Sequence, residues 1–409
     1  MTVPIIGTLV FATAGAYNGR TGEAARWRVE QSGLSPVVWG GYGRGNTGDW
    51  LALAAAIHDC SQGSAHAVAV LSPDPDLTTR LFPQAQAVLY RLRRPSWLSR
   101  RIRALARHLG PLVPGDRWRF RYSLDEQMSD RAGGRAEWVE ALGRADRLYL
   151  AGGGYLTDLF DLERAVMPLL AARQLGLAVE TAPLGIGPFR SRAGEALVAE
   201  ALRGARVTVR DAGSAAFCRR HAIPADQRPD DGFRVRELYP TLAATRARAE
   251  GQPLTVGVCA HRQHGSEAPT RVQAWWVDFL RGLHREMPQA SLRGFCFHTD
   301  CAADYRTTCE AFERAGLEAR RVEPPRPDPQ EAVERLLACD AIATTRFHAA
   351  VVAGAFGLPC VAVASGAYYR AKMESVREAV PRTTRVVDPN LDATDGAQEA
   401  LHGLLSLWR

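Results

Sequence analysis

The C-terminal half of the chain constrains its fold most tightly. Six short runs rich in β-formers, Leu254–Ala260, Ser291–Phe297, Ala319–Val322, Ala341–Thr344, Cys360–Ala364 and Arg385–Val387, are spaced along it. Amphipathic stretches at Ala274–Met287, Asp304–Ala315, Gln330–Cys339 and His348–Phe356 fall between them. Strands alternating with helices of about 10–15 residues pair through crossovers, which predicts a parallel, doubly wound sheet. The N-terminal half repeats the alternation less regularly. Strands are expected at Val37–Trp39, Ala67–Leu71, Arg147–Ala151, Ala178–Leu184 and Val207–Arg210. Helices are expected at Trp50–Asp59, Asp161–Leu175, Glu195–Arg203 and Ser214–His221.

Between the halves, Arg236–Pro253 is polar, Arg-rich and closed by Gly-Gln-Pro, the composition of a linker. The expected division is a Rossmann-like domain over 1–235, a linker over 236–253 and a second Rossmann-like domain over 254–409. A length of 409 residues suits two domains. Two α/β domains facing a cleft form the glycosyltransferase B-like architecture, in which ligands sit at the carboxyl ends of the strands. Residues 1–33 precede the pattern and take no place in it. With 46% hydrophobic and 23% charged residues, the chain is neither disordered, collagen-like nor coiled-coil. The longest apolar stretch, Val3–Ala16, is broken by glycine and threonine and too short to span a bilayer, and no basic residue precedes it as in a secretory signal. A cytoplasmic location is expected.

Eight cysteines spread over this length are no disulfide framework. Cys296, His298, Cys301 and Cys309 are the tightest group, but their spacing fits no standard zinc knuckle, and reduced structural cysteines with no metal are expected. The formal charge of +7 favours anionic partners. Fifty of the 51 basic residues are arginine; the single lysine is Lys372. A compositional drift that replaced every other lysine draws attention to this one, because a compact ammonium and a planar guanidinium are not interchangeable. Arg91–Arg121 holds ten arginines against one acid, Asp116, with Leu98, Ile102, Leu105 and Leu109 on one helical face. Such a helix either lies peripherally on an anionic membrane or packs on its own domain with a solvated cationic face; the second reading is preferred.

Three segments carry chemistry. Gly41-Tyr-Gly-Arg-Gly-Asn-Thr-Gly-Asp49 follows a strand and opens a helix. Its glycines, Gly48 among them, admit close backbone approach, while Asn46 and Asp49 suit either sugar hydroxyls or a helix cap. It matches neither a P-loop nor the full dinucleotide fingerprint. Ala151-Gly-Gly-Gly-Tyr155 ends another strand at the same sheet edge, so Gly153 serves close strand–helix packing or forms a wall against which a ligand lies. Thr344-Thr-Arg-Phe-His-Ala349 places Arg346 and His348 in the first turn of an apolar helix. A helix N-terminus is already positive, so two basic groups there point to a bound anion, or else to an arginine paired with an acid beside a core histidine. Lys372 and Arg262 come to the same strand-end face. Together these basic groups would suit a small, highly charged substrate such as phosphoenolpyruvate.

The ordered set GYGRGNTGD (41–49), AGGGYLTD (151–158), GIGPF (185–189), VRDAGS (209–214), RPDDGF (228–233) and TTRFHAAVVAGAFGLPCVAVA (344–364), with Lys372 beyond, resembles the polysaccharide pyruvyl transferase family over about residues 36–390. The resemblance implies transfer of a pyruvyl group from phosphoenolpyruvate to two hydroxyls of a sugar as a cyclic ketal, with no metal or organic cofactor. It implies His348 as general acid or phosphate ligand, Arg346 as donor anchor and Arg262 and Lys372 as donor contacts. Asp49 and Asn46, with the glycine loop, would face the acceptor. Trp50 stands where the family often has an acid, and the run to Lys372 is spaced differently, which leaves open a lipid-linked sugar, a nucleotide sugar or a small secondary metabolite as acceptor. Other readings are a nucleotide-sugar-dependent glycosyltransferase holding a diphosphate on Arg346 and His348, and a non-catalytic member. A specific nucleic-acid partner is not expected, since no recognition module is visible.

Overall fold

The computed structural model describes residues 36–43, 45–62, 67–92, 124, 127–128, 136–244, 253–261, 269–298, 302–318, 321–325, 328–389 and 396–408. Residues 1–33, Arg262, Cys301 and residues 93–121 of the basic segment lie outside the described residues, apart from which every segment singled out above is at least partly seen. Among the described residues, β1 (Val37–Trp39), β2 (Ala69–Ser72), β3 (Gln86–Leu89), β4 (Arg147–Leu150), β5 (Gly153–Leu156), β6 (Ala178–Ile186), β7 (Arg206–Val209) and β8 (Ala225–Gln227) form one sheet. Its order is β3-β2-β1-β4-β6-β7-β8, and β5 continues the line of β4 along β6. A second sheet holds β9 (Thr255–Cys259), β10 (Ser291–Gly294), β11 (Ala341–Thr344), β12 (Cys360–Val363) and β13 (Thr384–Val387), in the order β10-β9-β11-β12-β13. Every strand pairing in both is parallel.

The first sheet is flanked by α1 (Thr47–Ser61), α2 (Pro75–Leu81), α3 (Glu137–Gly143), α4 (Leu162–Gln174), α5 (Arg192–Leu202) and α6 (Ala212–Arg220). A 3-10 turn at Asp231–Arg234 leads into the short α7 (Val235–Leu238) and α8 (Pro240–Ala244). These occupy the start of the stretch expected as linker. The second sheet carries α9 (Pro269–Glu286), α10 (Ala302–Arg314), α11 (Pro329–Leu337), α12 (Phe347–Ala355), α13 (Ala367–Ala379) and α14 (Gly396–Trp408). Among the described residues no helix is long and apolar enough to cross a membrane.

The helix starts follow local chemistry. Asn46, Asp74, Asp161, Ser191, Asp211 and Asp328 each accept a backbone N–H of the first turn through the side chain, satisfying a donor the helix itself leaves free. The strands β11 and β12 are wholly buried runs of Ala, Ile, Thr, Cys and Val, as a sheet covered on both faces requires. β3, β5 and β8 escaped the sequence pattern. β8 is a fully exposed edge strand with no apolar alternation, β3 a half-exposed edge, and β5 opens with two glycines. α13 also escaped it, since within it only Met373 and Val376 are buried. Of the expected run Ala319–Val322, Val322 makes a lone parallel bridge to Gly294 rather than a strand.

The strand orders place the ligand-binding ends. In the first sheet the direction of winding reverses between β1 and β4, and in the second between β9 and β11. Crevices open at such reversals, beyond the carboxyl ends of the strands. Gly41–Asp49 and Ala151–Tyr155 follow β1 and β4, while Thr345–His348 follows β11, so all three sequence segments stand at these two crevices.

The halves are joined by apolar packing as well as by chain. Leu51 of α1 is fully buried in one cluster with Val235, Leu242, Phe295, Phe347 and Val351, a leucine of the first half seated in the core of the second. Truncating it leaves a cavity at the joint. Leu51→Ala should therefore lower unfolding stability by about 2–5 kcal/mol in urea titrations; a change below about 1 kcal/mol would show that α1 is not part of this core.

Candidate functional site

A cavity of about 270 Å³ lies between the two crevices. Trp39, Tyr155 and Phe160 from the first half form one wall, and His261, Arg346, His348, Tyr368 and Lys372 from the second form the other. Asn46 and Asp49 line it as well.

His348 is the second residue of α12 and is buried. Its Nε2 lies 3.6 Å from Asp230 Oδ1 and has no hydrogen-bond partner. Gly48 makes room for the ring, since a Cβ there would overlap the imidazole outright. Gly48 therefore serves as the floor under His348, while Asn46 accepts the Gly48 N–H at 3.1 Å and caps α1. Burial lowers the His348 pKa to about 4, with Arg210, Lys372 and Arg346 adding to the effect against Asp230, so at neutral pH the ring is uncharged.

Arg210, just past β7, is fully enclosed and gives Asp230 a 2.7 Å ion pair while its guanidinium lies 4.4 Å from the centre of the Phe347 ring. Cβ atoms at Gly154 or Gly185 would each stand 2.8 Å from its Nη2, so these glycines exist to admit it. Burial alone would raise the carboxyl of Asp230, but His348, Arg210 and the Gly232 N–H reverse this and hold it below the ordinary range. Arg210 and Asp230 stand inside VRDAGS and RPDDGF, where residue type alone does not mark them as site residues. The signal was a single arginine at the end of an apolar strand and a paired Asp-Asp, both common surface features until the fold encloses them.

Lys372 of α13 sits 5.0 Å from the Tyr368 ring centre and 5.4 Å from that of Phe347, with its ammonium near the Gly154 backbone. Burial brings its pKa down to about 7, and Arg210 and Arg346 lower it further against Asp49 and Asp230. Asp49, half-buried, is raised to about 6 by desolvation, which Lys372, Arg210 and an Asn46 hydrogen bond only partly offset. Two groups of opposite type thus titrate close to neutrality at the same cavity, a combination typical of sites that exchange protons or accept charged ligands.

Arg346 lines the cavity, but Asp304 already holds its Nε at 2.8 Å and also its Nη2. The bidentate grip expected for an anion is made instead to a fully buried carboxylate, to which His261 also turns at 4.0 Å. Gly153, at φ +141, faces Tyr155 and Asp49, and it is Gly154 that borders the cavity. Arg262 is outside the described residues. The structure thus brings together His348, Lys372, Asp49, Asn46 and Arg346, with Gly48 and Gly153 behind them. Among the described residues no three His, Cys, Asp or Glu side chains converge on a metal site.

The sequence profile of the polysaccharide pyruvyl transferase family matches residues 46–366. The chain belongs to that family. Its fold is shared with nucleotide-sugar enzymes of low sequence identity. The S. aureus MnaA–UDP co-structure is 13% identical, covers 92% of this chain and 90% of its own, and has a TM-score of 0.56. The UDP-GlcNAc 2-epimerase of Neisseria meningitidis bound to UDP-GlcNAc is 11% identical over 91% of both chains, with a TM-score of 0.55. The UDP-GlcNAc 2-epimerase of Methanocaldococcus jannaschii is 9% identical, covers 92% of this chain and 93% of its own, and scores 0.54. These likenesses establish a glycosyltransferase B-like fold for this pyruvyl transferase family member. A search of curated proteins gave no match.

Two measurements test the site's physics. Gly48→Ala should cost about 1–3 kcal/mol by overpacking, and most of that cost should disappear in Gly48→Ala/His348→Ala; independent effects in the double-mutant cycle would remove the contact. A dianion entering beside Lys372 restores the lysine's preference for its charged form, so binding takes up a proton above pH 7. Phosphate affinity should then fall by up to tenfold per pH unit on going above about 7. Lys372→Arg, charged throughout, should flatten that dependence; calorimetry in buffers of differing ionisation enthalpy reads both.

Proposed function

We propose that this protein transfers the pyruvyl group of phosphoenolpyruvate to two hydroxyls of a sugar-containing acceptor, forming a cyclic ketal and releasing phosphate. The observation that carries the reading is the convergence of Lys372, Arg346 and the buried His348 on a cavity that both halves line, with the enclosed Arg210 packed on Phe347 next to it. Arg210 is paired with Asp230 and Arg346 with Asp304, while Lys372 makes no ion pair among the described residues, so an anion entering beside it would complete a partly desolvated cation.

The reaction is balanced without a net proton. One acceptor hydroxyl adds to the enol carbon while the methylene carbon gains a proton. Phosphate then departs, and the second hydroxyl closes the ring and gives up its own proton to the released phosphate. In this scheme Lys372, with Arg210 and Arg346 supplying charge, holds carboxylate and phosphate as positive charge develops at the former enol carbon. His348 is donor ligand and acid: neutral in the free cavity, it gains basicity once an anion sits against it. Asp49, ionised above about pH 6 and adjoining Asn46, takes the proton of the attacking hydroxyl. Arg262 follows His261 of the cavity wall in sequence and joins as a donor contact on that ground. The second half is the donor side and the first half the acceptor side. No metal or organic cofactor enters.

Calorimetry with phosphoenolpyruvate against uridine and guanosine diphosphate sugars tests the reading. Phosphoenolpyruvate should bind, and Lys372→Ala, His348→Ala and Arg346→Ala should each weaken it by about 10- to 100-fold. Binding of a nucleotide sugar with none of phosphoenolpyruvate would make the chain a glycosyltransferase of the same fold.

A further inference from the structure

The AGGGYLTD segment contributes more than its glycines. Phe160, two residues beyond it, is the more exposed of the two large hydrophobic side chains left open among the described residues, at 47%, and it lines the cavity. It does not dangle. Thr157 Oγ1 donates to Pro188 O and accepts the Leu159 N–H, and the Phe160 N–H reaches Thr157 O at 3.4 Å. The Asp158 carboxylate accepts the Arg190 N–H and both the N–H and hydroxyl of Ser191. On the other side Asp161 caps α4, and Trp39 Nε1 donates to Ala165 O. The turn that presents Phe160 is therefore tied down at both ends, while nearly half of the residue stays exposed.

A tethered aromatic side chain this exposed at a cavity is available to a ligand. Its neighbours suggest what covers it. Tyr155 and Trp39 line the same cavity, as does Asp161, the exposed residue that follows Phe160 in sequence. A pyranose has the matching chemistry: one face of axial C–H groups, weakly positive and suited to the negative face of an aromatic ring, and a rim of hydroxyls that a carboxylate accepts. We infer that Phe160 is the platform on which the pyranose ring of the acceptor lies, its two reacting hydroxyls turned toward Asp49 and the cationic wall.

This inference rests on the pyruvyl transfer reading for the identity of the acceptor, and its test separates the two. Saturation-transfer NMR is run with methyl hexopyranosides of gluco, galacto and manno configuration, and with the corresponding acyclic hexitols as controls. Saturation of the protein should appear on ring C–H protons of at least one pyranoside and not on the hexitols. Phe160→Ala and Phe160→Leu should weaken that binding by about three- to tenfold, while Phe160→Tyr keeps it. Phosphoenolpyruvate affinity, measured alongside, should be unchanged in all three variants. Pyranoside binding indifferent to Phe160→Ala, hexitols binding equally, or no pyranoside signal from the wild-type protein would each overturn the platform. Loss of phosphoenolpyruvate binding in the wild type, with the Phe160-dependent pyranoside signal intact, would instead overturn the donor assignment and leave the platform standing.

Discussion

The contact between Arg210 and Asp230 at 2.7 Å, closed over by Phe347 and faced by His348, is where the two halves of the molecule meet chemically. Arg210 and Asp230 belong to the first half and Phe347 and His348 to the second. An ion pair this deeply buried is tolerable only when its geometry and remaining partners are good, since desolvation of both charges opposes it. The protein meets that condition by removing side chains around it. Gly48, Gly154, Gly185 and Gly232 each present a bare Cα to His348, to Arg210 or to both His348 and Asp230. The glycines scattered through separate sequence motifs therefore answer one requirement, the close enclosure of a basic cluster.

The charges in this cluster pull against one another in a useful way. Lys372, Arg210 and Arg346 together with burial keep His348 neutral and bring Lys372 near its midpoint at neutrality, while Asp49 is pushed up toward the same range. A dianion beside these groups would favour the charged forms of Lys372 and His348 and so move protons onto them. Anion binding and proton movement would thereby be linked through the same few side chains. Arg346 adds a contrast, because its fork is spent on Asp304 and what it offers the cavity is charge at a fixed position.

The sequence carried the alternation of strands and helices well wherever each strand was buried on both faces, as in β11 and β12, because the apolar run is then continuous. It failed at the edges and at the glycines. β8 has no buried residue, and β5 exists because the backbone of Gly153–Leu156 finds β6 alongside rather than because its residues favour strands. The site was legible in the same uneven way. His348, Lys372 and Asp49 stood out by residue type against their surroundings. Arg210 did not, being one of fifty arginines, and neither did His261, which lines the cavity, or Asp304, which holds Arg346 from a fully buried position.

By itself, then, the order of residues determined an α/β chain with parallel sheets, strand-end loops rich in glycine, and a family membership carried by motifs in sequence order. Those properties are local or additive: periodicity, caps, turn residues and short patterns are each read within about a dozen positions. Which basic side chains share a cavity, which are already paired, and which lose their ordinary pKa depend on distances between residues from 20 positions apart, as for Arg210 and Asp230, to well over a hundred, as for Arg210 and Phe347. Only the tertiary structure decided that Arg346 belongs to Asp304, that Arg210 closes against Phe347, and that Phe160 is left open at the rim. Burial and mutual distance set those energies, and both come into being only when the two halves close on each other.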